Sequence, residues 1–534
     1  MKLKEFIKFL IDIFTRRDPD PEGTRKDMEK LKKVGKVLLA LCLVPQVAWG
    51  ATVYTDLIEG TVYYDSSATS CADVTAGDTA STLQGAITAA TTSGNVYTCS
   101  SISTAAQIDG VDGTLEMTCN LYLKRGTTLT YPINSGHRMR ASKIFSAWGE
   151  GEKPIVTVSD PTYSIINGYG TGGYEISYLH LTGAKRAIAQ SAATQADYGN
   201  RWIHHNTIDY NGAADSMGSA IYFWNGSSGG DVIEYNTISY NTDTPVKLGN
   251  DSTFSSTNPI VRYNTFAYNT CVAGTCEGHV VDFPIGSTGL QFYGNELYGN
   301  ADATNPTYSG YMISIDGTTN VNAYLNYFHD NNIGVFGMSA QLGGASTGHN
   351  IYSNRSDNNG FTQDQPTLNY LSAFIFAKNA LGAANNFDTD VYNNTIVNHK
   401  TPLASYADSG VIDVVSSTAD DVISGIRPVN NLVYGHDTAW VSIHKDAGDA
   451  AVTVSADYNL YYTDNGGSAG DAIGAHDITS DPLFLSTTDY RLRANSPARH
   501  RGSNGRDIGA YQTMEFIDPD ENEVIYMPGI LGGN

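Results

Sequence analysis

Charged side chains are scarce in this sequence, only 16% of 534 residues. That excludes a coiled coil or a helical bundle, which are rich in Glu, Lys, Ala and Leu. Basic residues are scarcer still, 32 Lys/Arg against 55 Asp/Glu for a formal net charge of −23. Residues 1–50 hold 11 of the basic and 7 of the acidic groups, which leaves 21 against 48 beyond them, a net −27. Such a surface repels DNA, RNA and anionic lipid, so no nucleic-acid partner is expected, and divalent cations suit it. Long apolar runs are missing except for Val37–Ala51, which follows Lys30, Lys32, Lys33 and Lys36. This is the pattern of an export signal cleaved after Gly50, with Met28 as the expected true start. No later apolar span follows, so no membrane insertion is expected after cleavage, and the mature protein is expected to be secreted or on the cell surface. Cysteine is rare. Cys71, Cys99, Cys119, Cys271 and Cys276 remain after cleavage and lack zinc-site spacing. Cys271 and Cys276 can staple one loop, and one of the other three is left over. What is abundant is Gly (54) and Tyr (34, twice the 17 Phe), with Ser, Thr, Asn and Val, a mixture that suits short strands and polar turns.

The middle of the chain repeats. RWIHHNTIDYN (201–211), DVIEYNTISYN (231–241), IVRYNTFAYN (260–269), LQFYGNELYGN (290–300) and further copies align without gaps. The recurring Asn falls at 206, 236, 264, 295, 326, 354, 394, 430 and 459, and a second Asn follows at 211, 241, 269, 300, 331 and 359. Leu179 takes the Asn position in an earlier copy. Each unit adds a second short alternating run, such as AIYFW (220–224) or PVKL (245–248). Units of about 30 residues leave no room for a helix between strands. They predict a single all-β, right-handed parallel β-helix whose coils stack at about 4.8 Å, eleven to thirteen of them, with Asn ladders at the corners. Asn at the corner also tolerates the left-handed backbone conformation.

TVYYDSS (61–67) followed by TLQGAITAAT (82–91) resembles the opening strand and short N-terminal capping helix of the pectate-lyase-like superfamily of secreted β-helix proteins. SPA (496–498) and DIGAYQ (507–512) are similar to a frequent C-terminal end motif of that group. The expected organisation is an export signal (1–50), a cap with the first coils (51–150), the β-helix repeats (151–465), and C-terminal coils, end motif and tail (466–534). The resemblance implies an extracellular polysaccharide as partner. It decides little about activity, since the superfamily holds lyases, hydrolases, epimerases and adhesins.

Alternation in the second strand predicts an outward stack of Tyr222, Lys247, Asp282, Ser314, Phe336, Phe376, Asp413 and Ser442, with Trp224, Asp316, Lys378 and His444 two residues on. In superfamily lyases a Lys or Arg base works beside Ca²⁺ held by carboxylates. On that pattern Lys247 and His279 are the catalytic candidates, and Asp243, Glu277, Asp282 and Asp316 the Ca²⁺ ligands. Tyr222, Trp224 and Lys378 are the substrate-binding candidates. Asn241-Thr242-Asp243 matches the first motif of polygalacturonase-type hydrolases, but the further Asp, His and Arg-Ile-Lys motifs are missing, which rejects that assignment. His204-His205 is read as one corner and one outward residue that cannot easily share an ion. The recurrent tyrosines offer a platform for sugar rings. The absence of a complete catalytic motif favours a non-catalytic polysaccharide-binding protein over a Ca²⁺-dependent uronate lyase or a structural envelope or adhesin component.

Overall fold

Each repeat folds as one coil of three short strands, because runs of three to five alternating residues bury one face and turn at the next polar corner. The computed structural model describes residues 52–511, except 91–93, 110–114, 133–136, 140–142, 169–172, 191–198, 213–218, 225, 250–254, 271–277, 302–310, 341–343, 361–373, 380–383, 400–409, 417–421, 436–438, 446–450 and 464–469. The expected export signal, Cys271, Cys276 and Glu277 lie outside the described residues. Sheet A has sixteen strands, and sheets B and C have twelve each. The chain visits A, B and C in turn and pairs in parallel with the coil before, which is a parallel β-helix.

Inward positions stack in register. Ile203, Ile233, Val261 and Phe292 run along sheet A, Ile208, Ile238, Phe266 and Leu297 along sheet B, and Ile221, Val246, Val281 and Ile313 along sheet C. All are at most 1% exposed and belong to one continuous core. Phe336 continues the inward stack of sheet C, paired with Ile313 and Ile375. It is therefore not outward as alternation suggested, and Gly337 takes the outward slot.

The cap forms as expected. Helix Leu83–Ala89 buries Leu83, Ala86 and Ile87, and the Thr82 side chain accepts from the Gly85 amide at its N-terminus. An antiparallel hairpin, Thr52–Ile58 with Thr61–Asp65, opens sheet A. Cys71 is disulfide-bonded to Cys99, which leaves Cys119 as the buried free thiol.

Two asparagine ladders line the corners. In the A–B corner, Asn236 Oδ1 accepts from both the backbone N–H and Nδ2 of Asn206, while its own Nδ2 donates to Ile203 O, Glu234 O and Asn264 Oδ1. The pattern repeats through Asn394, Asn431 and Asn459. Asn431, not Asn430, is thus the ladder member. The left-handed conformation belongs to the residue before each ladder Asn: His205, Tyr235, Tyr263, Leu325, Ser353, Asn393 and Asn430 all have φ between 54° and 59°. A ladder Asn is held by its amide bonds to three coils, and the chain turns at its neighbour instead.

His349 gives the fold an acid-sensitive point. It is fully buried, its Nδ1 accepts the Val321 N–H at 3.3 Å, and so its Nε2–H faces Ser346 Oγ at 2.9 Å. The Nδ1 contact requires the neutral ring, because a protonated Nδ1 cannot accept, and burial pulls its pKa down from 6.5 to about 3. The unfolded chain takes up the proton first. Stability present above pH 6.5 should therefore fall as pH drops towards 3, by up to ~1.4 kcal/mol per pH unit within that window. Urea midpoints at pH 7, 5.5 and 4.5 check this, with the wild type losing more than His349→Gln.

Candidate functional site

The outward stack of sheet C assembles largely as expected. Tyr222, Lys247, Asp282, Ser314, Gly337, Phe376, Asp413 and Ser442 follow one another in register. Lys247 Nζ lies 3.5 Å from Asp282 Oδ2. The pair is buried, at 8% and 5% exposure, as is Tyr222. Tyr222 is sandwiched in its own contacts, with the Arg186 guanidinium 4.5 Å over its ring and Trp224 edge-on at 5.4 Å. Tyr311 lies across the stack: its ring faces Phe376 at 5.3 Å, and a Cβ on Gly337 would meet it at 2.8 Å. Its backbone N–H donates to His279 Nδ1 at 3.2 Å. Asp243 sits buried with φ 62°, Asp316 in the partly exposed turn after Ile313–Ser314, and Lys378 in register with Ser339 and Val415. Among the described residues no three His, Cys, Asp or Glu side chains gather as a metal site.

Sheet B presents a different surface. Thr207, Thr237 and Thr265 stand in one outward row, followed by Glu296. At one end His180 Nε2 meets both Asp209 oxygens at 2.9 Å, and Lys153 Nζ reaches Thr207 Oγ1 at 3.1 Å. At the other, His329 bridges Glu296 and Asp330 at 3.3 and 3.0 Å.

Aromatic ladders border this strip on both sides. At the A–B corner Tyr178, His205, Tyr235 and Tyr263 stack with centroids 4.9, 5.1 and 5.1 Å apart. At the B–C corner Tyr210, Tyr240 and Tyr268 stack at 5.2 and 5.3 Å. Tyr210, at 60% exposure, is the most open, and the rest of the tyrosines at 235, 240, 263 and 268 are close to half exposed. Both ladders step back one residue at the same coil, from the corner onto the strand, where the corner residues are Gly294 and Gly299. Each has positive φ, and a Cβ on either would strike the ring of Tyr263 or Tyr268 at 2.6 Å. Beyond it the sheet A ladder continues on Tyr293, Tyr324, Tyr352 and Tyr392. Because the rings lie face to face, a ligand meets their edges and hydroxyls. The expectation of a flat platform for sugar faces is thus corrected to rows of phenol groups at the coil repeat.

The strip ends where the C-terminal segment crosses sheet B. Tyr490 OH donates to Asp357, Arg355 donates to Tyr511 OH, and the Ala510 N–H donates to Thr395 Oγ1. Ala498 and Ile508 pack on Leu432 and Leu460. A cavity of about 340 Å³ lies under this segment, between the corner residue Asn398, Tyr434 of sheet B, and Phe484, Tyr490 and Arg493.

Sheet A carries a polar chain that sequence reasoning missed. Trp202 Nε1 donates to Glu234 Oε1 at 2.8 Å, Arg262 Nε donates to Glu234 Oε2 at 2.6 Å, and Arg262 Nη1 donates to Tyr293 OH at 2.7 Å. Glu175 Oε1 faces His204 Nε2 at 3.2 Å, and that bond holds its carboxyl below the usual range. His204 and His205 also meet, Nδ1 to Nδ1 at 2.9 Å, against the expectation that they diverge. The signal was the repeat itself: His205 occupies the corner position that turns left-handed.

No family model matches the chain, and no curated protein matches its sequence. Among solved structures, it is similar to the crystal structure of an alginate lyase from Paenibacillus sp. str. FPU-7, with a TM-score of 0.35 and 13% identity, covering 66% of this chain and 98% of that one.

Proposed function

We propose that the chain binds an extracellular polysaccharide laid along sheet B parallel to the helix axis, without cleaving it. The observation that carries this reading is the open strip of Thr207, Thr237 and Thr265 between two rows of exposed tyrosines, all repeating once per coil. The strip repeats at the coil rise of about 4.8 Å, close to the length of one sugar in an extended β-linked glycan, so successive sugars can lie over successive hydroxyl side chains. Hydroxyl and phenol groups satisfy sugar hydroxyls at little desolvation cost when both sides are matched. The net charge of −23 favours a neutral polymer over a uronate chain. The reading rests on export by the N-terminal signal.

Affinity electrophoresis tests it. Neutral β-glucan or xylan in the gel should retard the protein. Thr237→Arg, at an exposed mid-strip position, should weaken that retardation by about tenfold in affinity, the worth of ~1.4 kcal/mol. The rival reading is a Ca²⁺-dependent lyase using Lys247 with Asp243, Glu277, Asp282 and Asp316. It predicts an absorbing unsaturated product from alginate or pectate plus Ca²⁺, lost in Lys247→Ala. That result would replace the binding reading.

A further inference from the structure

We propose that His204 and His205 form a bidentate site for a tetragonal divalent transition ion, Cu²⁺ or Ni²⁺. Neighbouring residues of an extended strand point to opposite faces and cannot chelate together. Here His205 has φ 57°, which swings its ring round the A–B corner until its Nδ1 lies 2.9 Å from that of His204. Two nitrogens at about 2.0–2.1 Å from a metal are ~2.9 Å apart in adjacent positions of a square-planar or tetragonal ion, and ~3.4 Å apart in a tetrahedral one. The bite therefore suits Cu²⁺ or Ni²⁺ better than Zn²⁺.

The proton positions agree. A carboxylate only accepts, so the contact to Glu175 at 3.2 Å fixes the proton of neutral His204 on Nε2 and leaves its Nδ1 lone pair towards His205. Without metal, His205 Nδ1–H donates to that lone pair. With metal, His205 carries its proton on Nε2 instead, and the two lone pairs converge with no net proton release. Glu175 then plays the part of the carboxylate that orients a metal-bound imidazole. Both rings are clamped. His204 lies against Trp202 with centroids 4.0 Å apart, and His205 is stacked between Tyr178 and Tyr235. Glu175 and Glu234 favour a cation here, and Lys153 opposes it. Two protein donors leave the remaining positions to water.

The test is a Cu²⁺ titration of the tag-free chain, followed by electron paramagnetic resonance at pH 7.5. One equivalent should bind with an axial spectrum showing coupling to two nitrogens. His205→Tyr should abolish that spectrum while leaving circular dichroism unchanged, since Tyr235 and Tyr263 occupy the same ladder position. Glu175→Gln should weaken binding by about 10–100-fold while keeping the two-nitrogen spectrum. A wild type without saturable binding, or a two-nitrogen spectrum that persists in His205→Tyr, would overturn the proposal.

Discussion

Asp231→Ala is expected to cost the fold about 3–5 kcal/mol, the usual loss when one partner of a buried ion pair is removed. Arg201 is 1% exposed and so is Asp231. The Arg201 Nε donates to Asp231 Oδ1 at 2.9 Å, its backbone N–H donates to the same oxygen at 3.0 Å, and Nη2 donates to Gly226 O at 2.9 Å. Further bonds reach Asp231 Oδ2 and Gln190 Oε1. The guanidinium lies 3.5 Å over the Phe223 ring. Removing the carboxylate strands a cation inside the solenoid, where solvent cannot reach it. The double replacement Arg201→Met with Asp231→Ala removes both charges and should recover part of the loss, the remainder being the Arg201 N–H and Gly226 O left without partners. Denaturant midpoints measure the effect. Because a solenoid can unfold in parts, limited proteolysis near residues 191–231 should be followed alongside. Equal midpoints for wild type and Asp231→Ala would refute the prediction.

The second large effect belongs to the corner ladder. Asn264 Nδ2 donates to Ile233 O, Arg262 O and Asn295 Oδ1 at 2.9, 3.0 and 3.1 Å, and its Oδ1 accepts the Asn236 N–H at 3.0 Å. Asn264→Ala leaves those buried partners without it, and so does Asn295→Ala one coil on. Each should lose about 1–3 kcal/mol, near the upper end because several groups are stranded at once. Asn459 is a useful contrast. Its Oδ1 accepts from Asn431 as before, but its Nδ2 meets the Asp477 carboxylate in place of a further Asn, and the next coil pairs with it through a bridge at Ile478 in place of a full strand. Its replacement should move the midpoint less. Unchanged midpoints for both central variants would mean that the ladder contributes nothing.

Periodicity reveals this fold because each coil obeys a local rule that neighbouring coils repeat. The inward apolar stacks, the ladder from Asn206 to Asn394 and the Lys247–Asp282 adjacency all follow from strict two-residue alternation plus a constant corner. The exceptions arise where the local rule is degenerate. In RPVNNLVY either Asn fits the pattern, and only the hydrogen bond from the Asn394 N–H picks Asn431. In GVFGM an aromatic and a glycine alternate ambiguously, and pairing with Ile313 and Ile375 decides that Phe336 points inward. Orientation of side chains beyond Cβ is a further step away. The corner tyrosines were legible as exposed, but whether they offer faces or edges depends on stacking between coils. The meeting of His204 and His205 depends on one φ angle, and the burial of Lys247 on what lies over sheet C. The closing of sheet B by Tyr490, Ala510 and Tyr511 depends on contacts more than a hundred residues apart in sequence. None of these is encoded in a short window.

Hydroxyl-radical footprinting of the tyrosines, with and without a retarding polysaccharide, tests the proposed binding face most directly. Bound polymer should protect Tyr210, Tyr240 and Tyr268 and leave Tyr352 and Tyr392 on sheet A unchanged. Protection confined to sheet A, or no change at Tyr210, Tyr240 and Tyr268 at saturating polymer, would contradict the assignment.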